Sequence, residues 1–172
     1  MSRRLRLDLG SGPNPHPGFT GVDLHCDVDL RVDLRQFPWT WADRSVSEVW
    51  CSHYVEHQTG RDWIYFVDEL WRILKPGAKA TIIHPNLKSE RAFQDPTHLD
   101  FIPSSRWNYT NREWRKVNDL DHPPYPTCDF EFEVNAMIAP GWETRSTEAL
   151  QQAASLNWDV VFDLQVLLTK RG

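Results

Sequence analysis

Gly10, Ser11 and Gly12 are followed closely by Asp23, and these residue types suit a nucleoside. Glycine lets a ligand approach the main chain because no Cβ stands in the way. A bend of this kind can offer backbone N–H groups to an anion. A carboxylate at the end of the next strand can accept hydrogen bonds from ribose hydroxyls. A dinucleotide fits less well. Its G-x-G-x-x-G fingerprint needs a third glycine, a helix N-terminus facing the pyrophosphate and an acid about 20 residues on. Here the third glycine is missing, Asp23 comes early, and Pro13, Pro15 and Pro17 deny the bend a helix.

Histidines supply the other chemistry. His53 and His57 stand four apart, which on a helix would put them on one face. His53-Tyr-Val-Glu-His57 is not H-E-x-x-H, however, and no third ligand lies nearby in the sequence, so no metal is expected. His57 reads instead as packing or hydrogen-bonding beneath its loop. His84 and Asn86 close an apolar run and could handle an acceptor or simply saturate a turn.

The elements that must position these residues are readable from periodicity. Leu5, Leu7 and Leu9 alternate as a strand that enters the glycine bend, and Phe19 to Val22 is a second strand ending on Asp23. Val28 to Leu34 alternates as a third and Val46 to Cys51 as a fourth, with Ser52-His53-Tyr54 as its terminal loop. Ligands of open α/β sheets bind outside the carboxyl ends of strands, where strand order reverses. Ser52 and His53 are therefore expected to face Gly10 and Gly12. Arg61 to Leu74 carries one apolar stripe at helical spacing and is stopped by Pro76-Gly77; Lys79 to His84 is a fifth strand. Asp129 to Asn135 and Val160 to Thr169 alternate as two late strands around a helix over Thr147 to Leu156.

Leu7-Asp8-Leu9-Gly10-Ser11-Gly12 resembles the first motif of class I S-adenosylmethionine-dependent methyltransferases, and Gly21-Val22-Asp23-Leu24 the second. Trp71-Arg72-Ile73-Leu74-Lys75-Pro76-Gly77 is similar to the segment before their fifth strand. The likeness is closest to a compact branch with a truncated first helix. It implies an α/β, Rossmann-like, mostly parallel sheet with a C-terminal antiparallel pair and a reduced set of helices, in one domain over 1–172. It also implies S-adenosylmethionine as cofactor, held by Asp8, Gly10, Ser11, Gly12 and Pro13 at the bend. Asp23 and Leu24 would serve at the second strand, Asp33 and Leu34 at the third, Ser52 and His53 at the fourth. A sulfonium methyl is already activated, so a base is needed only for an acceptor that must lose a proton; His53, His84 and His98 are the candidates.

Residues 86–127 are irregular and read as a lid or acceptor-site insertion, with His98 and Tyr109 as lining residues. Arg112-Glu113-Trp114-Arg115-Lys116 reads as an amphipathic helix rather than a nucleotide-stacking patch. Asp121-His122-Pro123-Pro124-Tyr125 resembles the Pro-Pro-Tyr loop of amino methyltransferases, but it follows the fifth strand instead of the fourth, and a proline turn is the plainer reading.

The 172 residues carry a net charge of -5, which argues against nucleic acid as partner and leaves a small-molecule acceptor. Cys26, Cys51 and Cys128 fit neither a disulfide framework nor zinc knuckles. Met1-Ser2-Arg3-Arg4 shows no apolar signal core, and no run reaches the length of a membrane span, so a cytoplasmic protein is expected. With a shortened first helix, Arg6 and Asp8 are expected on a partly open sheet face, covered by some of the nine tryptophans or by a second copy in a homodimer.

Overall fold

The computed structural model describes residues 4–172; the reading of Met1-Ser2-Arg3 as leaderless concerns residues outside that range. In chain order the strands are β1 (Arg6–Leu9), β2 (Thr20–Asp23), β3 (Leu30–Arg31), β4 (Val46–Ser52), β5 (Leu74–Pro85), β6 (Phe130–Ile138) and β7 (Val161–Lys170). The α-helices are α1 (Gly60–Ile73), α2 (Arg112–Val117) and α3 (Thr147–Leu156). The strands form one sheet in the order β3-β2-β1-β4-β5-β7-β6. All pairs from β3 to β5 are parallel, and β7 runs antiparallel to β5 and β6. Order therefore reverses between β1 and β4. No helix of the described residues is long and apolar enough to cross a membrane.

Strand alternation sorts the two faces of the sheet. Leu7, Leu9, Val49, Cys51, Ala80, Ile82, Val166 and Leu168 are buried in one cluster with Trp63, Phe66, Val67, Leu70 and Ile73 of α1. Thr59 caps that helix, its Oγ1 accepting from Asp62 N at 3.2 Å. Asp68 on α1 accepts the N–H groups of Thr127 and Cys128 and ties the helix to the start of β6. The residues between the buried ones, among them Arg6, Glu48, Lys79, Glu131, Glu133 and Thr169, are polar and half-buried or exposed. α3 buries no residue, so it makes no second layer over that polar face.

Residues 10–19 contain turns and no helix. They fold back onto the polar face, where the His16 ring stacks on Trp50 at 4.0 Å and the Arg6 guanidinium lies 4.0 Å over the Phe19 ring. Asp8 is buried beneath them and accepts His16 N at 2.7 Å. The face expected to be capped by several tryptophans is thus met by Trp50 and the bend itself. Trp39, Trp63 and Trp107 lie in the core of the apolar face.

Three elements depart from their periodicity. β3 is two residues long because Asp29 Oδ2 takes the Gly21 N–H at 2.8 Å, which a longer ladder would have used. β5 begins at Leu74, directly after α1 ends at Ile73 and ahead of its expected start at Lys79. Leu74 already pairs with Val46, and residues 75–78 bulge before Lys79 resumes the ladder opposite Glu48. Much of the expected lid is core. Trp107, Thr110 and Arg115 are fully buried, and Trp107 packs edge-on against Trp63 at 5.5 Å. The Arg115 guanidinium donates to the carbonyls of Tyr109 and Cys128.

Candidate functional site

A cavity of about 500 Å³ opens at the carboxyl ends of the parallel strands, on the side where strand order reverses. Gly10 and Gly12 of the bend form its floor. Asp23, Leu24 and His25 after β2, and Val32 to Arg35 after β3, form one wall. His53 and Tyr54 after β4 form the other, and His57, Thr97 and Leu99 complete the lining.

Two glycines shape the floor for different reasons. Gly10 has φ +69°, and a Cβ there would meet Tyr54 Cδ2 at 2.6 Å. The Tyr54 ring thus seats directly on the main chain, and burial pushes its phenol up from the ordinary tyrosine value. Gly12 has φ +58° with nothing within 4 Å of a Cβ, so it leaves space beside the chain. The bend does not present its N–H groups to a ligand as expected from the sequence. Gly10 and Ser11 donate to Val22 O at 2.8 and 3.2 Å, and Gly12 donates to Asp23 Oδ2 at 3.0 Å.

Asp23 is the best-defined polar group in the cavity. Its Oδ1 accepts from His25 N and Cys26 N at 2.8 and 3.1 Å. Partial burial pushes the carboxyl up, but the N–H groups of His25, Cys26 and Gly12 outweigh it and hold the group below the ordinary carboxylate range. Oδ1 is filled by the His25 and Cys26 donors, and Oδ2 keeps a lone pair for a hydroxyl. Asp33 is likewise held low, chiefly by the Arg35 N–H.

His53 has φ +54°, a left-handed conformation uncommon outside glycine that turns its exposed ring toward the cavity wall. Its Nδ1 lies 3.1 Å from Glu56 Oε1 and its Nε2 3.9 Å from Asp163. The Glu56 hydrogen bond raises its pKa above the ordinary histidine value, against the effect of burial. His57 is not on a shared helix face with it; it ends a single 3₁₀ turn, Val55–His57, and its Nδ1 reaches Thr97 O at 3.2 Å.

The sheet order and this site can be compared with known proteins. No family model matches the chain, and no curated protein matches it. Solved structures do. A SAM-dependent methyltransferase from Archaeoglobus fulgidus is 16% identical and superposes with a TM-score of 0.70, covering 98% of this chain and 87% of its own. The geranyl diphosphate C-methyltransferase of Streptomyces coelicolor, solved with Mg2+, geranyl diphosphate and S-adenosyl-L-homocysteine, is 14% identical with a TM-score of 0.57. It covers 99% of this chain and 72% of its own. A possible histamine N-methyltransferase from Thermotoga maritima is 12% identical with a TM-score of 0.58 over 99% and 84% of the two chains. The fold is that of the class I methyltransferases.

Within this methyltransferase fold the expected site residues separate into groups. Gly10, Gly12, Asp23, Leu24, Asp33, Leu34 and His53 line the cavity together. Asp8, Ser11 and Ser52 fall instead around a second opening of about 360 Å³, on the other side of Gly10, with His16 and Trp50. Pro13 is exposed and lines neither. His84 does not handle an acceptor from where it stands. It is fully buried, with Nδ1 2.9 Å from Pro85 O and Nε2 accepting from Trp107 Nε1 at 3.1 Å. Asn86 ties the end of β5 to the start of β7, its Nδ2 donating to Val161 O at 3.1 Å. His98 stands behind His57, ring centroids 4.9 Å apart. Tyr109 stacks on Tyr125, and the two His122 nitrogens face the carbonyls of Pro123 and Asp119, so the Pro-Pro-Tyr turn lies away from the cavity.

The lining residues not expected as site residues are His25, Val32, Arg35, Tyr54, His57, Thr97 and Leu99. Tyr54 was placed in the loop after β4, but its seat against Gly10 had no local signal. Thr97 and Leu99 had none, being brought in by Glu56, whose carbonyl accepts Leu99 N at 2.9 Å and Asp100 N at 3.1 Å.

Proposed function

We propose that this chain binds S-adenosylmethionine in the 500 Å³ cavity and transfers its methyl group to a small-molecule acceptor entering past His57, Thr97 and Leu99. The observation that carries the reading is Asp23. It is an ionised carboxylate at the tip of β2, braced by three N–H groups and open to the cavity beside the Gly12 gap. The cavity volume lies in the usual range for such ligands, roughly 300–1,000 Å³. Asp23 Oδ2 accepts a ribose hydroxyl, Asp33 accepts the adenine amino group, and Val32 and Leu34 supply apolar contact to the ring.

Bound there, the sulfonium supplies a methyl group that needs no further activation. The remaining task of the chain is to align the acceptor and exclude water. Leu99 and the Tyr54 ring provide apolar walls for this. Of the three candidate histidines His53 lines the cavity, and its Nδ1 is held by the Glu56 carboxylate, which leaves Nε2 to take an acceptor proton.

Calorimetry with S-adenosylmethionine and S-adenosylhomocysteine tests the binding. Asp23→Ala is expected to weaken both by about tenfold or more, as loss of one charge-assisted hydrogen bond implies. Release of S-adenosylhomocysteine across a panel of small amines, thiols and hydroxyl compounds tests catalysis. Tight binding with no turnover on any acceptor would favour a non-catalytic cofactor-binding protein.

A further inference from the structure

Glu56, His57 and His98 come together from two separate segments beside the cavity that His57 lines. One carboxylate oxygen and one ring nitrogen of each histidine lie within 4.8 Å of one another. We propose that these three side chains bind a divalent transition-metal ion of the zinc class, with a coordination position left open toward the cavity that His57 lines. This goes beyond the cofactor reading and does not depend on it.

Hydrogen bonding sets both rings for the task. His98 Nδ1 lies 2.9 Å from Ala92 O, and a carbonyl can only accept, so Nδ1 carries the proton. His57 Nδ1 lies 3.2 Å from Thr97 O and 3.1 Å from Thr97 Oγ1. That hydroxyl already donates to Asp95 Oδ1 at 2.7 Å and so accepts from His57. Both imidazoles are left with the lone pair on Nε2. This is the tautomer of metal-bound histidine whose other nitrogen is fixed by a carbonyl.

Glu56 contributes the charge. It is 3% exposed, its Oε1 faces His53, and its Oε2 is buried with no hydrogen-bond partner. A buried carboxylate oxygen without a donor costs energy unless a cation reaches it. Two imidazoles and one carboxylate with an open place make a catalytic-type zinc set. Ligands about 2.1 Å from tetrahedral zinc stand about 3.4 Å apart, so the 4.8 Å limit closes by rotation of two half-buried rings. The Glu56 carbonyl, bonded to Leu99 N and Asp100 N, already locks the two segments together.

Zinc chloride titrated into chelator-stripped protein, without cofactor, tests the site by calorimetry, with cobalt(II) absorption as a second readout. The expected result is one equivalent bound at micromolar affinity or tighter, weakened at least about tenfold by His57→Ala and by His98→Ala, with circular dichroism confirming that both variants fold. Cobalt should give the visible bands of a low-coordinate nitrogen–oxygen site. Absence of binding by the wild-type protein would overturn the proposal. So would full affinity in both histidine variants, or loss of affinity in Cys26→Ser instead.

Discussion

A Cβ at Gly10 collides with the Tyr54 ring, whereas one at Gly12 meets nothing, although both residues have positive φ. The two positions separate strain from clash. Gly12→Ala is expected to cost about 1 kcal/mol, the left-handed penalty alone. Gly10→Ala adds overpacking and is expected to cost about 3 kcal/mol. Urea unfolding of the two variants measures the difference. His84 is a second residue-scale test. Burial pushes its pKa below the ordinary histidine value, and protonated Nε2 would face the Trp107 N–H. As pH falls below about 6.5, the unfolded chain takes up a proton that the folded chain refuses, so stability falls until the folded pKa is passed. The wild-type urea midpoint is therefore expected to drop more steeply between pH 7 and 5.5 than that of His84→Gln. At this scale the sequence pointed to Gly10, Gly12 and Asp23, which the fold brings to one cavity. It could not show that His84 points into the core, because a strand end looks alike whether it opens on a pocket or on Trp107.

Regular alternation made β1, β2, β4, β6, β7 and the α1 stripe readable, and each lies within a few residues of its expected span. β3 and the start of β5 were misread for a common reason. Long-range pairing, Asp29 with Gly21 and Leu74 with Val46, overrode local pattern. The segment over Ser104–Thr110 and α2 lacks strong periodicity because its burial rests on single anchors such as Trp107 and Arg115 instead of a stripe. Trp107→Ala should therefore destabilise by about 3–5 kcal/mol in chemical denaturation. A loss under 1 kcal/mol would return this segment to the role of a mobile lid.

The whole molecule is a sheet with helical cover on one face and charge on the other. Its topology could be anticipated from three motifs in order. The bend's return across the polar face could not, since it depends on His16 meeting Trp50 across the sheet. A hydrated face also bears on the response to heat. Unfolding uncovers less hydrocarbon per residue here than in a protein clad on both sides. Its heat-capacity increment is expected below the roughly 12–15 cal/mol/K per residue of ordinary globular chains, measurable by scanning calorimetry. A small increment flattens the dependence of stability on temperature, giving a low, broad maximum in place of a tall, narrow one.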